Sequence, residues 1–282
     1  MSLFFRMVTY LKITLNNIKH HALALAVIIL IGGCSSEIPS SKVKELHVIT
    51  SGGFATAYKA LAPKFEKKTG INLITSYGSS SGGAPDSIPV RLANGQNFDV
   101  IILSKNSLHN LKSLDYVLPD STVDLVRSSI GMVVKKGAAV PDISSNEAFI
   151  TTLLNAKSIG YSASASGTYL STNLWPKLDL WQHIEGKSKR ILSERVATVV
   201  VRGEVEIGFQ QVSEILPIKG AKFAGKIPTD FQKITIFSTG IVKGSSSVQA
   251  AEQLIRFLSS KDAASTIQMQ GLEPLVLELE HQ

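Results

Sequence analysis

Strand-like apolar runs alternate with amphipathic helical segments along this chain, and that alternation limits the folds open to it. A first strand over Leu46–Ile49 is followed by a helix over Phe54–Lys68 and a second strand over Ile71–Tyr77. Another helix begins near Pro85, and the short apolar run Phe98–Leu103 is typical of a buried parallel strand. This β-α-β-α-β opening predicts an α/β fold with right-handed crossovers.

The same alternation continues through the rest of the 282 residues. Hydrophobic residues make up 44% and charged residues 18%, which excludes a disordered chain. The length favours one large domain or two lobes. Further strands are predicted over Ile130–Lys135, Ser158–Ser162, Val205–Gln210 and Lys233–Val242. The spacing of apolar residues from Val248 to Leu258 predicts a closing amphipathic helix.

The first 33 residues differ in kind from the rest of the chain. They carry Arg6, Lys12 and Lys19 but no acidic residue, and the apolar run Ala22–Ile31 would rise only about 15 Å as a helix. This is short for a membrane span and typical of a signal peptide, which we assign to residues 1–33. The run ends at Cys34, the only cysteine, so an internal disulfide is excluded.

The segment Ile31–Cys34 (IGGC) resembles the lipobox of bacterial lipoproteins. The resemblance implies export, lipidation of Cys34 and anchoring to the membrane. Ser35 after the cysteine implies that the anchored protein is located in the outer membrane of a double-membrane bacterium. Residues 34–43 would form a tether between the anchor and the folded chain. Removal of the signal peptide lowers the formal net charge from +7 to +4. With no basic stripe bearing aromatics, a nucleic-acid partner is not expected, and the histidines show no metal-ligand spacing.

Two successive strand ends carry small hydroxyl and glycine residues, and each precedes a helix. The first is Ser51-Gly52-Gly53 and the second is the segment Gly78–Gly83, which contains Ser79 and Ser80. In an open parallel sheet, ligands bind outside the carboxyl ends of the strands. Glycine lets the backbone approach a ligand, and serine hydroxyls and helix N-termini donate hydrogen bonds to anions. These loops therefore predict a site for a small dehydrated anion.

The mature chain resembles the molybdate-type periplasmic substrate-binding proteins, which have the type 2 periplasmic-binding fold of ABC importers. Five segments carry the resemblance in the family's order: Val48–Gly83, Gly95–Ser104, Tyr161–Leu170, Arg202–Ser213 and Val248–Pro274. It implies two lobes joined by a hinge, each a mainly parallel sheet flanked by helices. Lobe one would hold residues 44–126 and 231–282, and lobe two would hold residues 127–230.

The resemblance also implies a set of ligand-binding residues. They are Ser51, Gly52, Gly53, Ser79, Ser80, Ser166, Gly167, Ser193 and Gln211. The family has a serine where this chain has Gly53, and a tyrosine where it has Gln211. Molybdate, another oxyanion or a small carboxylate therefore all remain open as ligands, with Arg91 or Arg195 available to supply charge.

The resulting prediction is a monomeric, lipid-anchored solute-binding protein that captures an anion between its lobes and docks on an importer permease. It is expected to perform no chemistry and to need no cofactor or free metal ion. One alternative is a serine esterase, because Gly78–Gly82 matches the G-x-S-x-G elbow with Ser80 as the nucleophile. Its partners would be His109, His183 or His281 with Asp179 or Asp230. A structural lipoprotein is a further alternative.

Overall fold

The structure is a computed structural model, and it describes residues 45–276. The predicted signal peptide, the lipidation site at Cys34, the tether and His281 lie outside the described residues. No helix within the described range is both long enough and apolar enough to span a bilayer.

The strands and helices follow the predicted alternation. The strands are β1 (Glu45–Ser51), β2 (Asn72–Gly78), β3 (Val100–Ser104), β4 (Val123–Ser128), β5 (Ile130–Lys135), β6 (Ile159–Ser162), β7 (Ser188–Ile191), β8 (Ile207–Gln211), β9 (Ala221–Lys226), β10 (Thr235–Ile241) and β11 (Glu273–Pro274). The helices are α1 (Gly52–Thr69), α2 (Ile88–Ala93), α3 (Lys105–Ser113), α4 (Asn146–Asn155), α5 (Ala165–Tyr169), α6 (Trp175–Lys177), α7 (Trp181–Ile184), α8 (Val196–Arg202), α9 (Val212–Ile215), α10 (Val248–Leu258) and α11 (Lys261–Met269). A π-helical turn, Leu170–Leu174, joins α5 to α6.

The first sheet has the strand order β11-β4-β10-β3-β1-β2. Strand β1 runs parallel to β2 and β3, and Ser51 at its end lies opposite Gly78 at the end of β2. The serine–glycine loops that follow these two strands therefore leave the sheet at the same edge. Helix α1 packs its apolar side on this sheet and ends at Gly70, whose φ of 71° is the left-handed cap that glycine favours.

The second sheet has the order β7-β6-β8-β5-β9. Strand β6 runs parallel to β7 and β8, so the ends of β6 and β8 leave at one edge. The hydrophobic core on this second sheet contains Phe149, Phe209 and Trp175, all fully buried. The Trp175 ring stacks on Trp181 with centroids 5.9 Å apart, so the two tryptophans contribute to the packing around this sheet.

The predicted two-lobed α/β fold is confirmed, with more antiparallel pairing than the sequence indicated. The chain passes between the sheets from β4 to β5 and from β9 to β10. Strands β5 and β10 begin at the edge where β8 and β3 end, because Ile130 pairs with Gln211 and Phe237 pairs with Ser104. A strand that enters from the other sheet must run against these neighbours, which makes both sheets mixed. Strand β4 continues to Ser128, two residues beyond the predicted boundary at 126.

Candidate functional site: a crevice between the two sheets

The strand ends of the two sheets face each other across a crevice. The Ser213 hydroxyl after β8 donates a 2.7 Å hydrogen bond to the carbonyl of Gly53 after β1. Thr56 of α1 in turn donates to the Ser213 carbonyl at 3.4 Å. Elsewhere along the crevice, a Cβ on Gly82 would lie 3.4 Å from the Ala163 carbonyl oxygen. The loops after β1, β2, β6 and β8 thus border one crevice.

Two cavities open on this crevice. The first, which we call the Glu214 cavity, has a volume of about 360 Å³ and is lined by Gly52, Lys59, Tyr77, Ser79, Arg195 and Glu214, among others. The second, which we call the Lys233 cavity, has about 400 Å³ and is lined by Lys105, Asn106, Tyr169, Asn173 and Lys233, among others. Both volumes lie in the range of small-molecule sites.

Glu214 is one of the acids that line the first cavity. It follows β8 in the short helix α9, and its carboxyl lies against Gly52 at the start of α1, where an added Cβ would overlap Oε1. Burial raises the pKa of Glu214, and the nearby Arg195 guanidinium together with hydrogen bonds from Gln210 and Gln211 only partly opposes that rise. A carboxyl with a raised pKa is suited to proton transfer near neutral pH.

Two cations border the same cavity. Arg195 precedes α8 and donates from Nη2 to Thr56 Oγ1 at 3.4 Å, so it reaches from the second sheet's side of the crevice to α1. Its charge also opposes the rise in the pKa of Tyr77 that burial causes. Lys59 lies with its Nζ 4.7 Å from the centroid of the Tyr77 ring. The cavity therefore combines positive charge with the half-buried carboxyl of Glu214.

The Lys233 cavity has a different character. Among the residues that the structure describes, its lining contains two lysines and no carboxylate. Lys105 pairs with Asp124 at 2.6 Å, and Lys233 Nζ lies 5.1 Å from the centroid of the Tyr169 ring. This cavity can bind negative charge, but its lining offers no acid for proton transfer.

Three of the predicted ligand residues line the Glu214 cavity: Gly52, Ser79 and Ser193. The Ser79 hydroxyl donates to the Ser81 carbonyl at 2.8 Å, and the exposed Ser193 hydroxyl donates to Asp86 Oδ1 at 3.2 Å. The hydroxyl groups of both serines thus already donate hydrogen bonds to other atoms of the protein.

The other six predicted residues are buried between the loops and line neither cavity: Ser51, Gly53, Ser80, Ser166, Gly167 and Gln211. The Ser51 hydroxyl and Gln211 Oε1 have no hydrogen-bond partner within residues 45–276. The hydroxyls of Ser162 and Ser166 lie 3.1 Å apart, and the Gly167 N–H donates to Ser162 Oγ at 3.3 Å.

Ser80 lacks the surroundings of a hydrolase nucleophile. Its hydroxyl is fully buried and accepts a 3.0 Å hydrogen bond from the Ser104 N–H. His109 and His183 are both exposed, and no histidine within residues 45–276 hydrogen-bonds to Ser80. Within residues 45–276, the structure therefore offers Ser80 no histidine partner for the esterase alternative.

Sequence reasoning missed Glu214, Lys59 and Tyr77 and named Arg195 only in passing. Glu214 had one usable signal, since it stands three residues after the end of β8, and ligands collect at such strand ends. Arg91, the other suggested cation, lies elsewhere: its Nε donates to Gln96 Oε1 at 2.6 Å and its guanidinium lies 5.0 Å from the Phe98 ring centroid.

Two sheets that meet at a polar crevice define the class of two-lobed periplasmic binding proteins. The Azotobacter vinelandii periplasmic molybdate-binding protein has this fold, with a TM-score of 0.65 and 20% identity over 80% of this chain and 98% of the other. Residues 46–273 match the family model described as bacterial extracellular solute-binding protein. The chain belongs to that family.

Two curated relatives extend the comparison. The molybdate-binding protein ModA of Escherichia coli (strain K12) is 23% identical over 71% of this chain and 78% of its own length. An aconitate isomerase from a Pseudomonas species is 41% identical over 238 residues, which is 84% of this chain and 91% of that protein.

The second of these relatives corrects one prediction. The expectation that this protein performs no chemistry is wrong, because a relative of that identity over most of the chain is an enzyme. Sequence reasoning tied the fold to capture and transport alone. A fold does not determine the function of a protein. The function depends on the residues that line its site, which here are those of the crevice.

Proposed function

We propose that this protein is an extracytoplasmic isomerase of a small unsaturated tricarboxylate of the aconitate class, acting in the Glu214 cavity. The observation that carries the proposal is the 41% identity, over 84% of the chain, to the aconitate isomerase. The cavity supports it, since Arg195 and Lys59 can bind carboxylates and Glu214 can exchange a proton.

The chemistry of aconitate indicates what such a site must do. The cis and trans isomers interconvert if a proton leaves the methylene beside the double bond and another is added at the far end of the three-carbon unit. The electron pair is delocalised over the allylic carbons and the attached carboxylate, so nothing is oxidised or reduced. The reaction needs a proton carrier and fixed positive groups that stabilise the developing charge.

The crevice also offers donors for the remaining carboxylates. The start of the 18-residue helix α1 presents backbone N–H groups beside Ser51 and Gly52, and no acidic residue occupies its first turn. A hydrogen bond to a charged acceptor contributes about 1.5–3 kcal/mol. A few such bonds together with Arg195 are sufficient for micromolar binding, which requires about −8 kcal/mol.

Direct assay tests the proposal. The purified chain is incubated separately with cis-aconitate and with trans-aconitate, and both are followed by proton NMR. We expect both reactions to reach the same mixture of the two isomers without added cofactor. Failure of the folded protein to convert either isomer would overturn the proposal. Citrate, which lacks the double bond, is the matched substrate control and should stay unchanged.

A second candidate function is delivery of a bound oxyanion or carboxylate to an ABC importer permease. The buried hydroxyl of Ser51, which has no hydrogen-bond partner within residues 45–276, favours it, because such uncharged donors suit a dehydrated oxyanion. Thermal-shift measurements with molybdate, tungstate, sulfate, phosphate and citrate test this function. A ligand at 100 times its dissociation constant stabilises by about 2.7 kcal/mol. An absence of any shift across the panel would remove this candidate.

We also propose that Cys34 carries the lipid anchor of the exported protein. The basic segment, the short apolar run and the IGGC sequence support this proposal. Detergent phase partitioning of the native protein and of Cys34→Ala tests it. Only the native protein should enter the detergent phase, and equal partitioning of the two would contradict the anchor.

A further inference from the structure

Among residues 45–276, three carboxylates line the Glu214 cavity: Asp86, Glu194 and Glu214. Of these, only Glu214 has neither a salt bridge nor a hydrogen bond from a serine within that range. Glu194 is exposed and accepts hydrogen bonds from two nitrogens of Arg202 at 2.7 and 2.8 Å, which lowers its pKa. Asp86 accepts from Ser193. The Glu214 carboxyl instead lies against Gly52 and close enough to Arg195 to feel its charge.

The other titratable groups of this cavity are less suited to removing a proton from carbon. Burial raises the pKa of Tyr77, so its phenol stays protonated at neutral pH. Lys59 is exposed and lies over the Tyr77 ring as a cation. A base must be unprotonated before it can act, and at neutral pH a carboxylate meets that condition more readily than a phenol or an ammonium.

The position of Glu214 is set by contacts between the two sides of the crevice. Its helix α9 packs on α1, and the Ser213 hydroxyl donates to the Gly53 carbonyl at 2.7 Å. Because Gly52 has no side chain, the Glu214 carboxyl can lie directly against the backbone at the start of α1. The carboxyl therefore lies beside the N–H groups proposed to hold one substrate carboxylate.

We infer that Glu214 is the catalytic acid–base of the isomerisation, an inference that rests on the proposed function. In the first step the methylene C–H bond breaks, an O–H bond forms on Glu214 and the electron pair enters the allylic unit. In the second step the Glu214 O–H bond breaks and a C–H bond forms at the opposite end of that unit. The double bond has then moved by one carbon and the Glu214 carboxylate is restored.

Arg195 acts beside Glu214 as a positioning residue. It lies close enough to Glu214 to favour the carboxylate form, and it can pair with the substrate carboxylate on which negative charge develops. The Glu214 cavity thus holds a cation near a carboxyl that can transfer a proton, whereas the described lining of the Lys233 cavity contains cations without a carboxyl.

The test compares Glu214→Gln, Glu214→Asp and the control Glu252→Gln, which changes an exposed glutamate on α10. We expect Glu214→Gln to lower kcat by about 10²- to 10⁴-fold while trans-aconitate still raises its melting temperature. Glu214→Asp should lower kcat less, with KM within a few-fold of the native value. Glu252→Gln should retain native rates.

A second readout separates proton transfer from binding. In D2O the native enzyme should exchange substrate methylene protons for deuterium, and Glu214→Gln should lose this exchange together with isomerisation. A folded Glu214→Gln or Glu214→Asp with native kcat and exchange would overturn the inference. If Glu214→Gln does not fold, the inference is tested by whether Glu214→Asp lowers kcat and the rate of deuterium exchange. An inactive native protein would instead overturn the proposed function itself.

Discussion

The two cavities of the crevice are similar in size but differ in the groups that line them. The Lys233 cavity has lysines that are exposed and already engaged, one with Asp124 and one with the Tyr169 ring. The Glu214 cavity has a half-buried arginine and a carboxyl whose pKa is raised by burial. Positive charge is common to both, but only the Glu214 cavity also holds an acid that can exchange a proton.

This difference shows how a binding fold can acquire chemistry. An anion site needs only donors, and the strand-end loops of this fold offer them in abundance. An isomerase also needs one proton carrier at the reacting carbon, and a single residue after β8 can supply it. Variants of each cavity can test this comparison.

After the loss of kcat expected for Glu214→Gln, the largest effect is expected from Arg195→Ala. Truncation of a half-buried cation that pairs with a charged ligand costs about 2–5 kcal/mol, so we expect KM for aconitate to rise roughly 30-fold or more. Initial rates over a range of substrate concentrations measure this change. Arg256→Ala, on the remote helix α10, is the control and should keep the native KM. A native KM in Arg195→Ala would remove the arginine from the site.

Gly52→Ala should have the next largest effect. The added Cβ would overlap Glu214 Oε1, so the carboxyl must move away from the start of α1. Displacement of a reacting group by about 1 Å can cost up to 10²-fold, and we expect kcat to fall about tenfold or more. The melting temperature should change little, because the atom that moves is the end of a flexible side chain.

Gly83→Ala is the matched control for that variant, since a Cβ at Gly83 would meet no atom within 4 Å. It should leave kcat unchanged. Equal kcat values in the two alanine variants would argue against any role for the Glu214 position.

Glu214→Gln should change stability in a way that depends on pH. The folded-state pKa of Glu214 is raised, so the native protein loses stability as pH rises from the unfolded-state pKa towards the folded-state pKa. Glutamine removes this loss. The variant should therefore melt above the native protein at pH 7, and the advantage should vanish well below the ordinary pKa of 4.5. A variant that melts below the native protein at pH 7 would show that burial does not penalise the charged form.

The smallest effect is expected from Lys233→Ala. An exposed charge at the rim of a site mainly influences association rates, so KM should change less than about threefold. The same initial-rate assay measures it. A loss as large as that of Arg195→Ala would place the substrate in the Lys233 cavity and reverse the comparison.

Local patterns in the sequence predicted much of the framework. The strands at Leu46–Ile49 and Ile71–Tyr77 and the helix between them are confirmed because apolar spacing reports directly which face is buried. Strands β4, β7, β9 and β11 were not predicted. The burial pattern of β9 contains no fully buried residue, so it has no apolar run for sequence reasoning to detect.

From the sequence, the candidate site was predictable only on the side that the first sheet forms. The loops after β1 and β2 carry their serines and glycines in short, recognisable groups, and the register of parallel strands brings Ser51 opposite Gly78. Glu214 and Arg195 are single charged residues in stretches that otherwise look ordinary. Their significance comes from contacts with Gly52 and Thr56, which are more than 130 residues away along the chain.

The sequence by itself determined the α/β class and the two polar strand ends, because these features depend on short-range periodicity and composition, and the resemblance of its segments to known proteins indicated the family. The tertiary structure alone decided which charged side chains meet in the crevice. Proximity across the two sheets depends on how β4–β5 and β9–β10 carry the chain between them, and burial between the sheets is what raises the pKa of Glu214. No local pattern encodes either of these, since both arise only when distant segments pack together.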